Sequence, residues 1–333
     1  MRMIDDPNKP FVSVVTPFYN TDQFLEECIE SVLAQTYENY EYLLVNNCST
    51  DSSLEIAIKY ADKDSRIKIC SNEKFLSQVQ NYNHALSLIS GKSKYCKVVQ
   101  ADDWIFPECI EKMVEVGCRD PRVGIVSSYR LKGETVVGNG LPYPSTIVPG
   151  EELCRKQLLH DWSLFGSPTS VLYRADLIRS KPSFFLEGRY HEDTEICYEI
   201  LADNDFGFVH QVLSFTRTDN ESLTSARSKF NTGILDRYIQ IHCYGKKFLK
   251  GLEFEHLHKI ERDKYMNYLA ESMFKPNSKE LFAYHRNGLS KIGIALSWGT
   301  LFPFMMNVLA DIILNPKNSA ERLYGHFRKN RSR

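Results

Sequence analysis

The chain has 333 residues, 43% of them hydrophobic and 25% charged, with a formal net charge of −1. These are the proportions of an ordinary folded protein with room for one large domain or two modest ones, and they give no general pull toward nucleic acid. The nine cysteines are an odd, scattered set with no CxxC pair, which fits neither a metal finger nor a disulfide framework and points to a reducing cytosol.

Met1 to Pro10 is a polar tail in which no apolar core follows a basic start, so a secretory signal is not expected. Phe11–Thr16, closed by Pro17, predicts a first strand. The loop Phe18–Thr21 leads to a helix over Asp22–Gln35, with Phe24, Leu25, Cys28, Ile29, Val32 and Leu33 on one stripe. A second strand, Tyr42–Val45, runs into the polar turn Asn46–Ser53, whose hydroxyls and Asp51 can cap a helix carrying Leu54, Ala57 and Ile58. Arg66–Cys70 predicts a third strand, Ser77–Ile89 a helix ended by Gly91, and Tyr95–Val99 a fourth strand. Pro107–Val116 is a helix with proline in its first turn. Strands alternating with helices of this length predict a parallel sheet covered on both faces. No GxGxxG follows the first strand and no GxxxxGK[ST] occurs, which argues against a dinucleotide dehydrogenase and a P-loop ATPase. A bound nucleotide would have to be held by side chains and a metal.

The second half is less regular. Leu131–Gly150 predicts loops or a hairpin, Ser170–Tyr173 a strand followed by a short helix from Ala175, and Glu192–Leu201 a helix. Phe206–Val209 and Val212–Phe215 read as two further strands.

The apolar run Tyr95–Val99 stops at two adjacent carboxylates, Asp102 and Asp103. Ligands of open α/β sheets sit outside the carboxyl ends of the strands. The pair is therefore either a site for a hard cation such as Mg²⁺ or Mn²⁺ and a polyol, or a helix cap with a solvated neighbour. Glu192 and Asp193 stand in the first turn of a helix, where compensation of the helix dipole is the plain account. His84, His191 and His210 have no partner at metal-ligand spacing and read as structural.

Four segments taken together carry more. Thr16-Pro17-Phe18-Tyr19-Asn20, Val45 to Asp51, Ala101-Asp102-Asp103-Trp104 and Glu192-Asp193 resemble, in order and spacing, the inverting family 2 glycosyltransferases over residues 10 to 225. The resemblance implies a GT-A fold, an α/β Rossmann-like architecture with a mixed, mostly parallel sheet flanked by helices. It implies an enzyme moving a hexose-type sugar from a UDP- or dTDP-sugar to a hydroxyl of a glycan or lipid-linked acceptor, with Mn²⁺ or Mg²⁺, in bacterial surface-polysaccharide or glycolipid assembly. Position by position, it sets Pro17 and Tyr19 against the nucleobase, Thr16 among the donor-binding residues and Asn47 on a pyrimidine ring. Asn83 falls near the nucleotide, Asp102 on ribose or sugar hydroxyls, and Asp103 on the divalent ion. Asp193 becomes the general base, with Glu192 the alternative. Arg217-Thr218-Asp219 stands where relatives often carry Arg-x-His, so Asp219 would add an oxygen ligand for the metal or a contact on the phosphate side. Trp162–Thr169, with Gly166 and Pro168, is expected on the acceptor side.

Asn46-Asn47 replaces the acidic pair usual in the family. An asparagine carbonyl can still accept from a uracil or thymine N–H, and its NH₂ can donate to a ring carbonyl. Two other readings stay open: a sugar-phosphate nucleotidyltransferase, whose glycine- and arginine-rich first loop Thr16–Asn20 lacks, and a non-catalytic nucleotide-sugar-binding relative, for which Asn46-Asn47 speaks.

The expected division is a tail over 1–10, a transferase domain over 11–230 and a helical region over 231–333. In the last, Ile234–Leu249, Leu252–Phe274 and Lys279 onward read as helices. Residues 292–314 are the most apolar stretch, with Asp311 the sole charge, and a basic tail follows with Lys317, Arg322, Arg328, Lys329, Arg331 and Arg333. A span needs about 20 apolar residues, yet Ser297, Pro303 and Asn307 dilute this one. The preferred expectation is an interfacial anchor on the anionic cytoplasmic leaflet, ahead of a buried core or dimer helix and of a true span. The chain is thus expected in the cytoplasm, peripheral on the membrane, with a homodimer left open.

Overall fold

The computed structural model of the chain describes residues 9–160, 162–165, 167–189, 191–218, 230–273 and 278–314. The chain falls into two units, Met1–Ala226 and Arg227–Arg333.

The first unit opens with β1 (Val12–Phe18), α1 (Asp22–Leu33), β2 (Tyr40–Asn46), α2 (Ser53–Ala61) and β3 (Ile67–Ser71). Next come α3 (Gln78–Ser87), β4 (Tyr95–Val98), β5 (Trp104–Ile105) and α4 (Cys109–Cys118). The strands β6 (Val123–Lys132), β7 (Thr135–Val137) and β8 (Ile147–Val148) precede α5 (Gly150–His160). The unit ends with β9 (Val171–Arg174), α6 (Ala175–Arg179), α7 (Glu192–Ile200) and β10 (Asp205–Thr216). All ten strands form one sheet in the order β3-β2-β1-β4-β9-β6-β10-β5, with β7 beside β6 and β8 beside β10. The strands β3, β2, β1 and β4 are mutually parallel. β9 runs antiparallel to both β4 and β6, whereas β6 and β10 are parallel. The result is the mixed, mostly parallel sheet that the resemblance implies.

β1, β2 and β4 are buried along their whole length, which is why they are largely apolar without strict alternation, with Ser13, Glu41 and Lys97 buried among them. α1 packs Leu25, Cys28, Ile29 and Val32 into the same core as Tyr42 and Leu44. Pro17 does not close β1 but lies inside it, paired with Val45. The ladder to β4 stops at Val15 and Val98, so the missing N–H of Pro17 costs no bond there. Asp51 ties two helix starts together: its carboxylate accepts from the Ser53 N–H at 3.0 Å and the Asp22 N–H at 3.1 Å. The Ser53 hydroxyl accepts from the Thr21 N–H at 2.8 Å, and the β1–α1 loop is fixed against the β2–α2 turn.

Two regions differ from the expectation, and a third takes the hairpin form that was one of its two readings. The ten-residue β6 and the helix α5 were not foreseen from the chain pattern, because Ser127, Ser128 and Arg130 interrupt the apolar run of a strand that is nonetheless buried. β10 is a single bulged strand of 12 residues where two short ones were expected. Leu131–Gly150 resolves into the β6–β7 hairpin and β8.

The second unit is helical: α8 (Thr232–Phe248), α9 (Gly251–Ser272), α10 (Ser278–Ser290) and α11 (Trp298–Leu314). Tyr238 and Tyr265 stack at 5.2 Å, and the Tyr265 phenol meets His285 Nδ1 at 2.9 Å in the core of this unit. Helix begins only at Trp298 in the apolar stretch 292–314, and Pro303 lies within it. Among the described residues, no helix is long and apolar enough to cross a membrane.

The head of α5 abuts the chain just beyond the helix that carries Asp193. A Cβ on Gly150 would lie 2.0 Å from the Asn204 carbonyl oxygen and 2.3 Å from that of Leu201, both backbone atoms. Gly150→Ala is therefore expected to cost about 1–3 kcal/mol or more, read as a lower urea midpoint at unchanged slope.

Candidate functional site

The four elements β4, β9, β6 and β10 bring one edge of the sheet to a common point. β4 and β6 end there, β9 begins there in the opposite sense, and β10 delivers Arg217 just past its last residue. Asp103, between β4 and β5, is only 3% exposed. Its Oδ2 accepts the Thr169 hydroxyl at 2.6 Å and its Oδ1 accepts the Arg217 backbone N–H at 3.0 Å. Thr169 is itself fixed: its hydroxyl accepts the Gln100 N–H at 3.1 Å, and its carbonyl accepts the ammonium of the fully buried Lys97 at 2.5 Å. The Arg217 side chain completes the frame. Its Nε donates to the Asp102 carbonyl at 3.0 Å, its Nη2 pairs with Glu27, and its guanidinium lies 4.6 Å from the centre of the Phe24 ring.

Burial pushes the Asp103 carboxyl up to about 7, and the neighbouring charge of Asp102 adds to the rise, against the bonds from Thr169 and Arg217. Burial likewise pushes the Lys97 ammonium down. Each Asp103 oxygen accepts one bond and keeps a second lone pair, and Asp102 beside it is half-buried. Two adjacent hard carboxylates, one of them buried, are a donor set that fits a divalent cation. Among the described residues, no three His, Cys, Asp or Glu side chains cluster at ligand distance. Asp219, expected as a further metal oxygen, lies outside the described residues.

On the β1–α1 loop, Tyr19 is 43% exposed and meets Phe75 edge-to-face at 4.8 Å, giving an open pair of rings. Phe75 was not anticipated, although an aromatic residue in the polar loop 72–77 is its signature. Pro17 is buried in β1. Thr16, expected among the donor-binding residues, is wholly buried with its hydroxyl 3.0 Å from the Tyr42 phenol, so it belongs to the core. Asn47 is 3% exposed. Its Oδ1 accepts the Leu76 N–H and the Asn72 amide, both at 2.9 Å, and its Nδ2 donates to the Leu76 carbonyl at 2.9 Å. One N–H of Asn47 is left for a ring carbonyl, while its acceptor is already doubly used. Asn83 departs from the expectation too. It donates to the Ser183 hydroxyl and the Phe185 carbonyl and accepts the Phe185 N–H, each at 2.8 Å. Its amide is spent clamping α3 to that segment, which removes it from the nucleotide site.

Glu192 and Asp193 occupy the first turn of α7, and Asp193 Oδ1 accepts the Thr194 N–H at 2.8 Å. Two residues not foreseen from the sequence bring this turn and the strand end into one electrostatic neighbourhood. The Tyr82 phenol on α3 is pushed far up by burial and feels Asp102, Asp103 and Glu192. The Arg130 guanidinium on β6 is held down by burial and drawn the other way by Asp193 and Asp103.

Comparison with known proteins agrees with this geometry. Residues 13–180 match the family profile described as Glycosyl transferase family 2. An uncharacterized glycosyltransferase of Haemophilus influenzae is 31% identical over 201 residues, 58% of this chain and 61% of that protein. Glycosyltransferase GlyG of Streptococcus pneumoniae is 28% identical over 294 residues, 83% of this chain and 90% of that protein. Among solved structures, S. aureus TarS 1-349 in complex with UDP superposes with a TM-score of 0.58 at 17% identity, covering 81% of this chain and 76% of that one. The mannosyltransferase PcManGT of Pyrobaculum calidifontis, in complex with GDP-Man and Mn²⁺, superposes with a TM-score of 0.55 at 14% identity, covering 96% of this chain and 85% of that one. At such identities these two likenesses speak for the GT-A fold alone. The profile spans half of the chain, from β1 through α6, and the chain belongs to glycosyl transferase family 2.

Proposed function

We propose that this transferase moves a sugar, with inversion, from a UDP- or dTDP-sugar to an acceptor hydroxyl, in surface-polysaccharide or glycolipid assembly. The observation that carries the reading is the buried Asp103 fixed at the strand end by Thr169 and Arg217, with Asp193 at the head of α7. One acid suits the donor's diphosphate and the other an incoming hydroxyl. The UDP bound by TarS and the GDP-Man and Mn²⁺ bound by PcManGT support a nucleotide-sugar donor and a divalent ion in a fold of this kind. The setting rests on the family resemblance.

In this reading Tyr19 and Phe75 offer aromatic faces to the base, and Asn47 donates its remaining N–H to a ring carbonyl. Asp102 binds ribose or sugar hydroxyls, and Asp103, with Asp102 beside it, would hold Mn²⁺ or Mg²⁺. When bound, such an ion supplies a Lewis acid that offsets the charge of the departing nucleoside diphosphate. Asp193 takes the proton of the acceptor hydroxyl as its oxygen attacks the anomeric carbon from the face opposite the leaving group. Glu192, one residue away, is the second candidate for that role. The family match displaces the nucleotidyltransferase alternative.

α11 supports membrane contact as well. Only Leu301 of this helix is buried, while Trp298, Phe302, Met306, Ile313 and Leu314 are exposed. The basic residues from Lys317 to Arg333 lie outside the described residues. An apolar helix face followed by a basic tail suits the boundary of an anionic leaflet.

Three measurements test these assignments. Asp193→Asn should lower kcat by about 10²- to 10⁴-fold while leaving nucleotide binding by calorimetry intact, and full turnover would move the base to Glu192. Asp103 has a folded-state carboxyl near 7 against 3.8 when free, so its stabilisation is complete below the lower value and is lost as pH climbs through the upper one. In EDTA the urea midpoint of the wild type should therefore fall over that window, and Asp103→Asn should flatten the fall. Full-length protein should sediment with vesicles containing phosphatidylglycerol and lose this with Trp298→Ser and Phe302→Ser together. Recovery independent of those changes would refute the contact.

A further inference from the structure

Arg130 is the group in the site that the assigned roles leave without work. It is 8% exposed, and its Nε and Nη1 have no hydrogen-bond partner among the described residues. A guanidinium out of water normally sits in a paired, fully bonded frame, since each buried donor left unmade is destabilising and a charged one more so. If Arg130 served only to neutralise Asp103 and Asp193, at least one of those carboxylates would be bonded to it, and neither is. Its neighbours show the same vacancy of partners. Ser214 of β10 is in direct register with Arg130, so the two side chains share a face of the sheet, and the fully buried Ser214 hydroxyl is unpartnered. Two residues on and on that same face, the Thr216 hydroxyl is buried and unpartnered too. The antiparallel pairing of Phe215 with Trp104 brings Thr216 next to Asp103 at the following step. Two guanidinium N–H groups and two hydroxyls thus face one place beside the strand end, with no acceptor supplied by the described residues.

A planar fork of N–H donors flanked by hydroxyls matches an oxyanion, and phosphoryl oxygens above all. The reaction proposed above carries such a group between Asp103 and Asp193. Resting on that reading, we propose that Arg130, with Ser214 and Thr216, binds a phosphoryl oxygen of the donor's diphosphate directly. Part of the charge on the leaving nucleoside diphosphate is then met by the protein and not only by a metal. No bond is made or broken by Arg130 itself: the anomeric C–O bond breaks toward the diphosphate oxygen, and the guanidinium receives the charge that develops there.

Calorimetry on the full chain with inorganic pyrophosphate, UDP, GDP and UMP, in EDTA and in Mn²⁺, tests this. The wild type should bind pyrophosphate in EDTA. Arg130→Gln should weaken pyrophosphate and nucleoside diphosphates by about 10- to 100-fold, with UMP weakened far less. Arg130→Lys, which keeps the charge but not the fork, should fall between. Ser214→Ala, a small change at a position without bonds, should show a loss of several-fold and serves should Arg130→Gln fail to fold. Wild-type binding of UDP or GDP with unaltered pyrophosphate affinity in Arg130→Gln, or in Ser214→Ala, overturns the inference and leaves the donor reading standing. A wild type that binds neither nucleoside diphosphate in Mn²⁺ overturns the donor reading itself.

Discussion

A carboxylate held at the tip of a buried strand, with almost no contact with water, is the constraint around which this transferase is assembled. Taking the Asp103 charge out of water is costly unless fixed donors replace the solvent, and two do: the Thr169 hydroxyl and the Arg217 N–H. Both donors depend on the mixed order of the sheet. Because β9 runs against β4, the residues preceding it fall at the edge where β4 ends, and Thr169 arrives beside Asp103. Because β10 runs with β6, the residues following it reach the same edge, and Arg217 arrives from the other side. A wholly parallel sheet would put the start of the strand beside β4 at the far end, too distant to supply that hydroxyl.

Lys97 gives this frame a second layer. It is buried on β4 and bonded to the Thr169 carbonyl, so the strand that ends at the acid also fixes the residue that donates to it. Burial lowers the proton affinity of Lys97 while raising that of Asp103, so both groups are held by fixed protein partners in place of water. Preorganisation of this kind is how a polar site is held ready without solvent.

The parts legible in the sequence were those with a period or a motif. The alternation of β1 through α4 follows from largely apolar strands and striped helices, and Asp102, Asp103 and Asp193 stand out because acids there interrupt such patterns. β6 was hidden for the converse reason. Ser127, Ser128 and Arg130 are polar residues on a buried strand, and no periodicity separates them from a loop. Thr169 and Arg217 act on Asp103 from 66 and 114 residues away, distances at which spacing carries no code. Thr16 and Asn83 fail in another way: the resemblance assigns them by position, but whether a hydroxyl or amide is free depends on its bonding partners, which only the folded chain reveals.

Asn47 has a consequence for how this protein can change over time. Its Nδ2 lies 2.9 Å from the Leu76 carbonyl as a donor, and its oxygen secures the segment that carries Phe75. Restoring the aspartate usual in relatives would set two oxygens against each other at that spacing and loosen the ring that lies against Tyr19. Position 47 can therefore take an acid only if the loop around it is remade.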